Sequence, residues 1–176
     1  MQTPRVLILA ALIGAAYAVA QPDSPLMPPQ HYETCSSENK FCIVSDPREG
    51  TTVFHVSGDG TYSEEWSLPN WHRDLHVSND GIVVIGYPGL NLLSIPDATP
   101  NSTILRFWRN GKEIREVPLS EIIRGKKLVR TVSHYSWGST RGFNKDGDFE
   151  VATADDRVVM FDGSSGDLVG ERPKAE

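Results

Sequence analysis

The sequence is short of the features that usually announce chemistry. It holds no phosphate-cradling glycine loop, no Gly-x-Ser-x-Gly elbow and no four-ligand metal box. Beyond residues 1–20 no stretch approaches the roughly 18 apolar residues of a membrane-spanning helix, so no transmembrane segment is expected in the mature chain. Helical periodicity is scarce. Only two cysteines are present, and the nearest histidine is His31, which is too little for a zinc site. The 12 prolines and 15 glycines follow no triplet period, and 39% hydrophobic with 23% charged residues excludes a wholly disordered or coiled-coil chain. No cofactor is expected. These absences leave the biochemical activity unread, but destination and architecture are legible.

Residues 1–20 have the layout of a secretory signal peptide. Arg5 supplies the positive n-region, Val6 to Val19 the apolar stretch, and Ala18-Val19-Ala20 the small-residue cleavage site. Removing 20 residues leaves 156, starting at Gln21, with a formal net charge of −7 in place of −6. That length is enough for one domain with its own core. Residues 21–33 open with QPDSPLMPPQ, which contains four prolines, and read as an extended leader. The folded domain is expected over 34–171, with 172–176 as a tail. Cys35 and Cys42 flank a turn-like Ser37-Glu38-Asn39-Lys40, and in an oxidising compartment they make a disulfide across a hairpin. The expected location is therefore secreted or periplasmic.

Strand signals dominate the remainder. Thr52–Val56 leads through Ser57-Gly58-Asp59-Gly60 into Thr61–Trp66, the form of a β-hairpin. Ile82-Val83-Val84-Ile85 is continuously apolar, as in a strand covered on both faces. Asn110-Gly111 is the preferred two-residue type I′ turn, within a hairpin from Ile104 to Val117. The only helical candidate is short, with Ser120 as N-cap and Gly125 as stop. Trp66, Val117 and Val169 close hairpins about 50 residues apart, and an Asp-Gly turn precedes an apolar strand at Asp80-Gly81 and at Asp146-Gly147. Three modules follow, roughly 35–69, 70–118 and 134–170, with 119–133 as connector. The expected fold is all-β, three antiparallel hairpin modules of propeller-blade type and one short helix; a β-sandwich is the alternative.

Two motifs carry a resemblance. Val77-Ser78-Asn79-Asp80-Gly81 followed by Ile82-Val83-Val84 resembles bacterial propeller repeats of the WD40-like and YVTN-like type. Phe161-Asp162-Gly163-Ser164-Ser165-Gly166 resembles their outer turn. The whole chain is similar to exported bacterial proteins of unknown function, which implies architecture more than activity. Propellers usually have 4–8 blades and this chain supplies three. The resemblance therefore implies an open sheet array or a ring closed by self-association.

Charge is unevenly spread. Residues 106–145 hold ten basic side chains against Glu113, Glu116 and Glu121, while the rest of the mature chain is strongly acidic. Such segregation points to an anionic surface or protein partner, or to a homo-oligomer; no nucleic acid is expected. With Asn110-Gly111 as loop, the register sets Arg106 opposite Arg115 and Phe107 opposite Ile114. Leu119, Ile122 and Ile123 would anchor the short helix and leave Arg124 and Lys127 outward. The expected binding residues are thus Arg106, Arg115, Arg124 and Lys127, with Trp137, from the run His134-Tyr135-Ser136-Trp137, as a stacking platform. His72 and His76 share a strand face but lack a third metal ligand. The expected function is an exported, non-enzymatic binding or envelope-interaction module using this basic surface. The alternative is a small secreted hydrolase with a site near His72, His134 and Trp137. A cleft with convergent polar groups would favour the enzyme, and a flat basic face the binding module.

Overall fold

A computed structural model of the chain describes residues 26–87, 92–96, 98–125 and 128–174. The expected signal peptide lies outside the described residues. The strands in chain order are β1 (Tyr32–Cys35), β2 (Phe41–Asp46), β3 (Gly50–Val56), β4 (Tyr62–Leu68), β5 (Leu75–Val77), β6 (Val83–Gly86), β7 (Leu93–Ser94), β8 (Thr103–Arg109) and β9 (Lys112–Pro118). After the single turn of helix α1 (Leu119–Ile122) come β10 (Val129–Arg130), β11 (His134–Ser136), β12 (Gly138–Phe143), β13 (Phe149–Thr153), β14 (Arg157–Phe161) and β15 (Leu168–Pro173). The regular structure among the described residues is thus almost entirely β.

Three four-stranded antiparallel meanders follow one another along the chain: β1-β2-β3-β4, β5-β6-β8-β9 and β12-β13-β14-β15. A small sheet, β10-β11-β7, ties the connector to the link between β6 and β8. That link, residues 87–102, is a second long excursion beside 119–133.

The meanders stack face to face, and the alternation of strand residues explains why. On β6, Val83 and Ile85 join Ile43, Val53, Leu75 and Val77 in an apolar layer between the first and second sheets. Ile82 and Val84 point the other way, into a layer with Phe107, Phe149, Val151 and Phe161 between the second and third. A strand buried on both faces needs apolar residues at every position, and Ile82–Ile85 is that run. β5 packs against β1, β2 and β12, so the first strands of the three sheets gather together.

Local rules hold closely at the turns. Asn110 and Gly111 have φ of 49° and 72°, as a type I′ turn requires. Cys35 and Cys42 are paired partners on β1 and β2, disulfide-bonded with Cα atoms 4.0 Å apart. The helix begins one residue before the expected cap: Pro118 occupies the N-cap and makes no side-chain capping bond. Leu119, Ile122 and Ile123 are buried as anchors.

The β8–β9 register departs from expectation. Arg109 does face Lys112, but a bulge at Ile114 then shifts the pairing, so Trp108 faces Glu113, Phe107 faces Arg115 and Arg106 faces Glu116. The bulge turns Ile114 outward, 39% exposed. It also replaces an arginine–arginine pair by an arginine–glutamate pair, which removes a like-charge repulsion.

Candidate functional site

The first turn of each meander is built the same way. In Ser36–Phe41 the Ser36 Oγ accepts from the backbone N–H groups of Lys40 and Phe41. In Ser78–Ile82 the Ser78 Oγ accepts from Asp80 and Ile82, and in Asn144–Asp148 the Asn144 Oδ1 accepts from Asp146 and Asp148. In each, the residue three places on (Asn39, Gly81 and Gly147) has positive φ. Its N–H donates to the carbonyl of the first residue. A side-chain oxygen that mimics a backbone acceptor is what selects Ser and Asn at the first position.

These three turns, with Asp162–Ser164, wall a cleft of about 880 Å³ at one end of the stack. Its lining is polar. Each equivalent turn places an acid at the same step, namely Glu38, Asp80 and Asp146. Lys40 pairs with Glu38 at 2.7 Å and Lys145 with Asp146 at 2.7 Å, and hydrogen bonds to these carboxylates raise both lysine pKa values. Asp162 accepts from the Ser164 hydroxyl and from the N–H groups of Ser164 and Ser165, which lowers its pKa and keeps it anionic. The walls are cross-tied as well. The Glu38 N–H donates to Asn79 Oδ1 at 3.0 Å, and Asn79 Nδ2 donates to Ser37 Oγ at 3.0 Å.

His76, on β5, also lines the cleft. Its Nε2 lies 3.1 Å from Asp74 Oδ1 and 2.9 Å from Thr140 Oγ1, and the Thr140 hydroxyl donates to Asp74 at 2.9 and 3.1 Å. This closed cycle clasps the second sheet to the third. Asp74 has room for its carboxylate because position 86 is glycine: a Cβ there would stand 2.1 Å from Asp74 Oδ2. The ring of His76 meets the edge of Phe149 at 5.2 Å.

The arginines expected to form one surface are placed apart. Arg106 and Arg115 project from opposite faces of the second sheet, because Arg115 now pairs with Phe107 rather than with Arg106. Arg106 is held between Glu113, at 2.8 Å, and Glu116, with its guanidinium over the Tyr87 ring. Arg115 bonds Glu121 at 2.9 Å and reaches Asp167 and the Gly166 carbonyl. Arg124 is exposed and pairs with Glu171 at 2.8 Å. Lys127 lies outside the described residues. Arg106, Arg115 and Arg124 therefore each meet a carboxylate on their own chain, which lowers their call on an external anion. Trp137 is fully buried between the second and third sheets and offers no face for stacking.

His72, His134 and Trp137 do not line the cleft. The His72 ring approaches the Pro69 carbonyl at 3.2 Å and the edge of Tyr87, and burial lowers its pKa. His134 Nδ1 stands 3.0 Å from Thr131 Oγ1 and 3.2 Å from Ser133 Oγ, a local cluster on the small sheet. The histidine that does face the cleft is His76. Its partner Thr140 lies 64 residues away in sequence, so no spacing rule could pair them.

No protein-family model matches the chain, and a search of curated proteins finds no match.

Proposed function

We propose that the protein is an exported, non-enzymatic binding module, secreted or periplasmic, in which three blade-like meanders form a propeller-like array and the turn-lined cleft holds the ligand. The observation that carries this reading is the repetition of one turn in all three meanders around one polar cleft. Concavity with fixed polar groups is the general form of a binding site. A disulfide at the cleft wall supports an oxidising compartment, and no helix among the described residues is long and apolar enough to cross a membrane.

The test uses the oxidised protein from Gln21 onward and insoluble cell-envelope polysaccharide in a sedimentation assay. Asp80 is exposed at the cleft lip, so Asp80→Trp blocks the opening and is expected to abolish retention, while Arg124→Glu leaves it unchanged. Loss with Arg124→Glu and none with Asp80→Trp would return the site to the basic surface.

A hydrolase is the second reading, favoured by Thr140 beside His76 and Asp74. Against it, the Thr140 proton is committed to Asp74, which leaves the hydroxyl oxygen accepting from the imidazole instead of being deprotonated by it. Ester hydrolysis that disappears in Thr140→Ala would establish the enzyme instead.

A further inference from the structure

We propose, on the premise that the cleft is the ligand site, that its ligand is a carbohydrate and that Nδ1 of His76 accepts a hydrogen bond from a sugar hydroxyl. The tautomer of the neutral ring follows from its partners. A carboxylate can only accept, so the Nε2 that lies 3.1 Å from Asp74 Oδ1 carries the proton. Thr140 spends its own proton on Asp74, and its oxygen is then free to accept from the same Nε2–H at 2.9 Å. In the neutral ring this leaves Nδ1 with an outward lone pair. No group among the described residues bonds it, and the side chain is 26% exposed on the cleft.

The space over that lone pair is kept open by the sequence. Gly142 has φ +87°, and a Cβ built on it would stand 3.2 Å from Nδ1. A side chain at 142 would cover the acceptor. The clasp to Asp74 and Thr140 and the edge contact with Phe149 fix the ring, so the acceptor is positioned before any ligand arrives.

What surrounds it selects the chemistry. Arg141, next to Gly142, lines the same cleft and makes no ion pair or hydrogen bond among the described residues, so it offers a free donor fork. Asp80 and Asp148 on the cleft wall offer acceptors. An anionic ligand would meet these acids; a cationic one would meet Arg141. Hydroxyl groups donate and accept together, and they match a wall that mixes donors and acceptors.

The experiment is a nitrogen NMR titration of the isotope-labelled protein from Gln21 onward with chitotetraose, cellotetraose and maltotetraose, with tetralysine as the cationic probe. At least one oligosaccharide is expected to shift Nδ1 of His76 saturably. His76→Gln keeps an N–H where Nε2 stood, and so keeps the clasp, but leaves no acceptor at the position of Nδ1. It is expected to weaken that binding at least about tenfold, the loss of one hydrogen bond to a preformed partner. Should that variant fail to fold, Gly142→Asn, which tolerates positive φ and covers Nδ1, is expected to give the same loss. Unchanged affinity in both variants, or no shift of His76 with any oligosaccharide, overturns the proposal. Tetralysine moving cleft resonances where the sugars do not overturns the ligand class and leaves the cleft as the site. Silence of all cleft resonances, with Asp80→Trp still retained on polysaccharide, overturns both.

Discussion

Replacing Arg157 by methionine tests how the third sheet is held to the helix and the connector. Arg157 is 16% exposed and Asp155 5%, and the guanidinium reaches both carboxylate oxygens, with Nη2 to Oδ2 at 2.8 Å. The same group donates to the Ile122 carbonyl at 2.9 Å at the end of α1 and pairs with Glu171 on β15. Methionine keeps most of the apolar stem but strands a buried carboxylate and a carbonyl. Removing one partner of a buried pair costs about 3–5 kcal/mol, which for a domain of this size is a fall of about 6–20 °C in melting temperature.

The pH dependence sharpens this prediction. Burial pushes the Asp155 pKa up, but hydrogen bonds from Arg157, the Thr153 hydroxyl and the Arg124 N–H outweigh it and hold the value below the usual carboxylate range. A folded pKa below the unfolded one contributes stability above about pH 4 that is lost as pH falls through the lower folded value. In Arg157→Met the largest lowering contribution disappears while burial remains, so the Asp155 pKa rises. The gap between variant and wild type should then narrow on acidification. Adding Asp155→Asn to Arg157→Met removes the stranded charge and should recover stability. Thermal and urea unfolding from pH 7 to pH 3 measure all three. A gap below about 1 kcal/mol at pH 7, the size of a surface pair, or no recovery in the double variant, would refute the reasoning.

Reducing Cys35–Cys42 should cost about 2 kcal/mol and raise amide exchange across Ser36–Lys40, since the disulfide closes the strands that carry this cleft turn; equal exchange in both redox states would contradict that placement. Gly86→Ala should destabilise by about 1–3 kcal/mol, as overpacking does, because its methyl displaces Asp74 from the clasp; a neutral result by denaturant unfolding would show the clasp to be slack. Phe107→Ala should cost about 3–5 kcal/mol, since the fully buried ring contacts Phe149 and Phe161 across the layer between the second and third sheets; calorimetry checks it, and a loss under about 1 kcal/mol would mean the layer closes over the gap.

Much of this molecule is decided by near neighbours in the chain. Asn110-Gly111 dictates its turn because both residues tolerate positive φ. Ile82–Ile85 announces a strand with two covered faces because every position is apolar. The cysteine pair declares a hairpin through its short loop, and Leu119, Ile122 and Ile123 declare a helix pinned to a sheet. The all-β class and the three meanders follow from such local signals.

The electrostatics and the site were settled elsewhere. A two-residue turn specifies register only as far as the first irregularity. The bulge at Ile114 then sent Arg106 and Arg115 to opposite faces, each beside a carboxylate. Counting charges along the chain registers ten basic side chains in one segment, but not the carboxylates that the fold brings to them. Trp137 sat in an aromatic run that suited a surface or a core equally, and stacking of the second and third sheets buried it. The likeness of Ser36–Lys40 to the two Asp-Gly turns lies in hydrogen bonds and φ, with Asn39 standing where the others have glycine, so residue identity alone conceals it. His76 and Thr140 met because two sheets stacked, and that contact spans 64 residues of chain. Local preferences act over a few bonds, whereas the cleft is made from side chains that only burial of the apolar layers brings within hydrogen-bonding distance.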